Sequence, residues 1–329
     1  MQPNPRLPVV SPEAAFVPFH EVAGRPHVVV DGPASPGTVL GLSHWPDGGV
    51  PDELAADTSA EIVANYLDAG AAGPPVELVT NNHFDEDGLL AAWLLLERPE
   101  GDARLLAIRA AEAGDFHTWS LPRDAWAALA LMAAAERATT PFPEVLRALN
   151  TGGGHDPAGA ITIALLPRVE AILGDPERFR RLWEPRWHEV ERDVEALDSG
   201  AAAIEEIPGA DLAIVRSPRP LTRLAVCSRV RAMRLIHAPG DGRLWLEHRY
   251  ETWVRYASRP LPPRVDLTPI LDALRRIETL PGRWRFEGVD SPQGRLALVD
   301  ANGAPVPSGL SPERLAREVA AGSNLARSG

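Results

Sequence analysis

Along the first 110 residues, short apolar runs alternate with longer amphipathic ones. His27-Val28-Val29-Val30 is a continuous β-branched run closed by Asp31-Gly32, the pattern of a strand buried on both faces. Thr38–Ser43 has the same character. Asp52–Ala69 predicts a helix, with Asp57, Thr58 and Ser59 as capping residues ahead of Ile62, Val63 and Leu67. A Gly/Pro turn over 70–75 leads into a strand at Val76–Thr80, a loop, and an apolar helix at Leu89–Leu96. Strand and helix in alternation, with short links, predict an α/β fold: a parallel sheet flanked by helices.

The pattern then changes twice. Residues 103–150 are Ala- and Leu-rich with helical spacing, broken at Gly114–His117, at Pro122 and at Thr151–Pro157. Residues 160–203 continue helical and end in a charged stretch, Glu184–Asp198, with the character of a solvated connector. Beyond it, strands are predicted at Ala210–Val215, Leu224–Ser228, Ala232–Ile236, Leu244–Trp253, Trp284–Gly288 and Leu296–Val299, with a helix at Leu267–Glu278. The expected organisation is a Pro-rich flexible arm over 1–15, an α/β domain over 16–203, and a smaller mixed α+β C-terminal domain over 208–322 with a frayed tail.

Composition narrows the function classes. With 329 residues, 45% hydrophobic and 24% charged, the chain can bury a core in each half. No apolar run approaches the roughly 18–20 residues of a membrane span, and the N-terminus lacks a basic segment followed by an apolar one. A cytoplasmic protein without a membrane partner is the expectation. The single cysteine, Cys227, excludes an internal disulfide and a Cys-based zinc cluster, and reads as a small core residue. The net charge of −12 and pI near 5.3 oppose binding to long duplex nucleic acid. They leave room for a small phosphate ester or a short oligonucleotide, and a homodimer is compatible with them. All 33 basic residues are arginine, which excludes a Schiff-base lysine and a P-loop lysine. An anion site must therefore use arginine, histidine, backbone N–H groups or a metal.

The candidate chemistry follows the strand at Val76–Thr80. His83, Asp85 and Asp87 alternate with Phe84 and Glu86, and residues two apart in an extended segment project to one side. One imidazole and two carboxylates would then converge past the strand's C-terminal edge, where open α/β sheets place ligands. Such an oxygen-rich set with some imidazole suits Mn²⁺ or Mg²⁺. The alternative reading is a helix N-cap with acidic first-turn residues.

Val79-Thr80-Asn81-Asn82-His83-Phe84-Asp85-Glu86-Asp87-Gly88-Leu89-Leu90-Ala91-Ala92 resembles the first motif of the DHH phosphoesterase superfamily. The superfamily includes single-strand exonucleases, oligonucleotide and cyclic-dinucleotide phosphodiesterases and family II pyrophosphatases, which use two Mn²⁺ ions to activate water. The resemblance implies that His83 and Asp85 hold one ion and Asp87 the second, with Asp115 in Gly114-Asp115-Phe116-His117 as the bridging aspartate of the second motif. The alternative for Asp115, and for His117, is a solvated residue in a helix-end turn. No Asp-His-His string occurs in the chain. Gly152-Gly153-Gly154-His155-Asp156 lies at about the right distance for it, offering His155 as a catalytic group and Gly153 and Gly154 as an anion cradle, or else a plain turn.

Other residues are set beside these. Asp31 ends a strand, and His44 and Asp57 stand in loops after early strands; each could reach the same edge or serve as a cap or buried hydrogen-bonded residue. In the second half, Arg249, Arg255 and Arg259 could clamp a phosphate. Tyr250 and Trp253 could stack a base or fill the core, and His237 lies in the same half. The leading expectation is a metal-dependent phosphoesterase acting on a small phosphate ester or short nucleotide. The alternatives are a non-catalytic DHH-like binding module and a mononuclear metal hydrolase of an amide or ester.

Overall fold

The computed structural model describes residue 4, residues 6–150 and residues 156–326. The chain forms two units. Unit 1 is Met1–His188 together with Val254–Arg259, and unit 2 is Glu189–Trp253 together with Pro260–Gly329.

Unit 1 is a parallel α/β fold. Its strands are β1 (Val9–Phe16), β2 (His27–Val30), β3 (Thr38–Leu42) and β4 (Pro75–Thr80), in the spatial order β1-β4-β2-β3. Every pairing is parallel. The continuous apolar run of β2 is explained by its place: an interior strand, buried at all four residues. Its helices are α1 (Ser59–Ala69), α2 (Glu86–Glu97), α3 (Gly101–Asp115), α4 (Pro122–Ala134), α5 (Pro143–Asn150), α6 (Pro157–Gly174) and α7 (Arg180–Asp198), and the unit boundary falls inside α7. α2 is buried at every position from Asp87 to Leu95, so it lacks an amphipathic stripe.

Several expectations need correction here. Within the arm expected over residues 1–15, the chain from Val9 onward is β1, an edge strand paired with β4. Tyr66 secures its start, donating from its hydroxyl to the Pro8 carbonyl at 2.7 Å and accepting from Val10 N–H at 3.1 Å. The helix expected over 52–69 is a 3₁₀ turn at Asp52–Leu54, a break, and then α1 from Ser59. The division expected at 200–208 differs from the unit boundary at 188/189, and unit 1 also takes back residues 254–259. α6 has 18 residues and is long and apolar enough to cross a membrane by length and composition alone, where no run of that kind was expected. In unit 1 it packs on α2, α3, α4 and α5 through residues including Leu165, Val169, Ile172 and Leu173.

Unit 2 is a mixed six-stranded sheet, ordered β5-β6-β7-β8-β10-β9. Its elements are β5 (Ala203–Ile207), β6 (Leu212–Ser217), α8 (Arg223–Cys227), β7 (Arg234–Pro239), β8 (Trp245–His248), α9 (Leu271–Ile277), β9 (Arg283–Phe286), β10 (Leu296–Val299) and α10 (Pro312–Ala326). Only β6 and β7 are parallel. That pair needs a crossover, and α8 supplies it, so the strand expected at Leu224–Ser228 is a short helix. One sheet face carries the main core of Ile214, Ile236, Leu246 and Leu298 with Leu274, Leu315 and Val319. The other packs Val215 and Leu235 on Val226 and Cys227. Cys227 is the core residue its context implied, its thiol pushed up to about 12 by burial. β5 and α10 lie outside the elements expected from sequence.

His248 is 2% exposed and shares the Gly294 carbonyl at 3.0 Å. Burial, reinforced by the charges of Arg264 and Arg234, lowers its pKa to about 4 against the Gly294 contact. Between pH 6.5 and 4 the unfolded chain therefore binds more protons than the native one, and stability falls as the pH falls. From pH 7 to pH 5 this group alone is expected to cost about 2 kcal/mol. Urea unfolding at both values should show a smaller loss in His248→Asn than in the parent protein.

A candidate metal centre at the carboxyl edge of the parallel sheet

Three neighbouring strands end together, and each is followed at once by a polar residue. β2 runs into Asp31, β3 into Ser43 and His44, and β4 into Asn81, Asn82 and His83. The order β4-β2-β3 places Asp31 in the middle. Its Oδ1 lies 3.3 Å from His44 Nε2 and its Oδ2 lies 3.2 Å from His83 Nε2. Asp31 takes φ 46°, in the left-handed region that Asp tolerates better than most residues.

Two triads result, Asp31–His44–Asp87 and Asp31–His83–Asp85, each with one ligand atom per residue within 4.8 Å of the others. Asp87 Oδ2 stands 3.7 Å from His44 Nε2. Asp115, the last residue of α3, adds Oδ2 at 3.4 Å from the same nitrogen. Asp85 Oδ2 meets His83 Nε2 at 2.6 Å. Asp31, His44 and Asp87 are buried, whereas His83 and Asp85 keep 30% and 24% of their side-chain surface, so solvent reaches the second triad.

The surroundings orient these groups. His44 Nδ1 donates to the Asp57 carbonyl at 2.6 Å and His83 Nδ1 pairs with Asn82 Oδ1 at 3.0 Å, leaving both Nε2 atoms facing the carboxylates. Asp87 accepts from Ser59 N–H and Ala60 N–H, the first turn of α1, at 2.7 and 2.8 Å. Asp85 caps α2 by accepting from Gly88 N–H at 2.8 Å, so the N-cap reading and the triad geometry hold together. Ser59 Oγ donates to Asp31 Oδ1 at 2.9 Å. Gly88 is required for space: a Cβ there would lie 2.6 Å from Asn81 Nδ2 and 3.1 Å from Asp31 Oδ2.

The charges strain against one another. Burial drives the Asp87 carboxyl up to about 7, with the charges of Asp31 and Asp85 adding to it and His44 opposing. Asp115 is raised well above the carboxylate range by burial and by Asp85, Asp87 and Asp31. Half-buried Glu86 rises to about 8 through burial and the Asp85 charge. Burial would also raise Asp31, yet its contact with His44 and the charges of His83 and His44 hold it at about 2. Against burial, Asp31 and Asp87 lift His44 to about 9, and Asp85, with Asp31 and Asp87 behind it, lifts His83 to about 9. Asp31 Oδ2, Asp115 Oδ2 and both amide atoms of Asn81 are buried without a hydrogen-bond partner among the described residues. Asp115 also sits at the negative end of the α3 dipole, where a carboxylate is disfavoured and a cation favoured.

Of the residues expected from sequence, His83, Asp85, Asp87 and Asp115 come together. Asp31 and His44, given less weight there, are at the centre; their signal was their position directly after strands. Asn81 was missed. Asp57 is a support: its carboxylate accepts from Ala257 and Ser258 N–H at 2.7 and 2.8 Å. Arg249 and Arg255, expected to bind a phosphate, are each paired within their own unit. Arg249 is buried in unit 2, bound to the Val230 carbonyl at 2.7 Å and to Glu251. Arg255 is in unit 1, paired with Asp52 at 2.6 Å. Tyr250 and Trp253 stack on each other, ring centres 5.5 Å apart, on a 3₁₀ turn of unit 2. Gly153, Gly154 and His155 lie outside the described residues, and Asp156 caps α6 through Gly159 N–H at 2.8 Å.

The chain matches one protein family over residues 12–324. It belongs to DUF6687, a family of unknown function. No curated protein and no solved structure matches it. In this DUF6687 chain the matched span takes in both triads.

The raised pKa values carry a sign. Asp87, Asp115, Glu86, His44 and His83 all bind protons more tightly folded than unfolded, so their contribution to stability is lost as pH rises. In a chelator, thermal stability is expected to fall from pH 6.5 to 9. Asp115→Asn, which removes one of the crowded carboxyls, should show a shallower fall; an identical pH profile would contradict the repulsion described here.

Proposed function

We propose that unit 1 is a two-ion hydrolase that binds Mn²⁺ or Mg²⁺ on either side of Asp31 and cleaves a small phosphate ester or short nucleotide. The observation that carries this reading is the division of Asp31, one oxygen toward His44 and the other toward His83. Ligands bonded at about 2.1 Å in octahedral geometry stand about 3 Å apart. The Asp31–histidine separations of 3.2 and 3.3 Å match that spacing. Buried oxygens of Asp31 and Asp115 that lack donors are what a cation would satisfy. The resemblance of residues 79–92 to the DHH first motif supports the same chemistry. Asp31 and His44 would provide the further carboxylate and imidazole that the missing Asp-His-His string leaves open.

When bound, divalent ions supply Lewis acidity to a phosphoryl oxygen and make water nucleophilic near neutral pH. The chain's own part is orientation and electrostatics. Asp57 and Asn82 hold the two imidazoles with Nε2 inward, and the α1 backbone holds Asp87. The half-open second triad is the side from which a substrate can enter. The acidic chain, at −12, suits a small ester better than a long polyanion.

A one-ion reading has its own support, because Asp87 already accepts two backbone N–H groups. The Asp31–His83–Asp85 triad would then act alone, on an amide or ester. Calorimetric titration with Mn²⁺ separates the two: about two ions per chain is expected, against one. Mn²⁺-dependent hydrolysis of bis(p-nitrophenyl) phosphate is expected for the parent protein and background rates for Asp31→Asn and His83→Ala. Undiminished activity in Asp31→Asn would overturn the proposal.

A further inference from the structure

On β7 and β8 of unit 2, His237 lies opposite Trp245 and Leu235 opposite Glu247. Ile236 and Leu246 point into the main core, so these four residues share the other face of the sheet. Leu235 there is covered by Val226 and Cys227 of α8. The neighbouring part of the face is polar.

Glu247 is the centre of that part, 4% exposed. Its Oε2 pairs with Arg223 at 3.0 Å and Arg295 at 3.3 Å, and its Oε1 lies 3.5 Å from His237 Nε2. The His237 ring is stacked on Trp245, centres 4.8 Å apart and planes 12° apart. Among the described residues, three buried nitrogens of this group make no hydrogen bond, His237 Nε2, Trp245 Nε1 and Arg295 Nε, of which the first still faces the Glu247 carboxylate. His237 is itself 7% exposed. All three can donate. Unmet buried donors are costly, and those of Trp245 and Arg295 call for an acceptor. Two guanidinium groups face one buried carboxylate. Both arginines keep about a third of their side-chain surface, 30% and 35%, so the patch is open on that side. Exposed Glu287 is the further acid at the edge, accepting from Arg295 N–H at 3.2 Å.

We propose that unit 2 carries a second binding site, for an oxyanion of the phosphate class, formed by Arg223, His237, Trp245 and Arg295 around Glu247. Glu247 holds the two guanidinium groups in place, and the anion takes the N–H groups that Glu247 does not reach. Arginine suits this role because its fork presents several donors to neighbouring oxygens. The stacked His237–Trp245 pair fixes two further donors at low cost in side-chain freedom. The site does not depend on the metal centre and adds to the proposal made for it.

The test is calorimetric titration of inorganic phosphate into the full chain in chelator, where the acidic metal centre repels anions. Saturable binding is expected. Trp245→Phe keeps the ring stack and removes one donor, and should weaken binding about tenfold. Arg295→Gln should weaken it further. Near-UV circular dichroism checks each fold; if Arg295→Gln does not fold, Trp245→Phe decides. Absence of saturable phosphate binding in the parent protein would overturn the proposal. So would phosphate binding that Trp245→Phe leaves unchanged, because the anion would then sit elsewhere.

Discussion

Asp31, Asp85, Asp87 and Asp115 are crowded with His44 and His83 at one end of a four-stranded parallel sheet, and their mutual repulsion is the constraint against which unit 1 is built. Left bare, such a set is costly: like charges at these separations lift carboxyl pKa values, and burial lifts them further. Only Asp31, flanked by an imidazole on each side, is held low. The protein meets the cost with backbone hydrogen bonds, helix N-termini and two imidazoles, yet some buried oxygens stay without donors.

The same groups also do structural work. Asp85 caps α2 and Asp87 accepts from the first turn of α1, so the helices that cover the sheet are joined to it through the cluster itself. Asp57 holds His44 with its carbonyl and the returning segment Ala257–Ser258 with its carboxylate. The backbone of Arg255 donates to the His44 carbonyl at 2.7 Å, a second tie between that segment and the cluster.

Unit 2 shows how an arginine-only chain divides one residue type between two tasks. Arg264 and Arg249 are spent internally on carbonyls, where the fixed fork of donors secures loops that lack regular structure. Arg223 and Arg295 instead flank a buried glutamate and stay partly exposed. Sequence proximity to Tyr250 and Trp253 made Arg249 look available, whereas its burial shows it is committed.

Local pattern determined a good deal by itself. The β-branched run at 27–30, the capped helix from Ser59 and the strand–loop–helix at 76–97 are all decided by periodicity and turn residues, which act over a few positions. The alternation of His83, Asp85 and Asp87 marked one half of the cluster for the same reason. What tertiary structure alone decided is the company those residues keep. Asp31 and His44 are 39 or more residues before His83, and nothing local links them; the strand order β4-β2-β3 does. Strand order is a matter of how far-apart apolar faces pack, so it leaves no mark at the polar residues it brings together. The edge strand β1 and the crossover helix α8 were hidden likewise, the first because a Pro-rich segment gains its ladder partner only when β4 lies beside it, the second because a buried apolar run of four residues fits a strand or a helix equally until parallel β6 and β7 require a crossover.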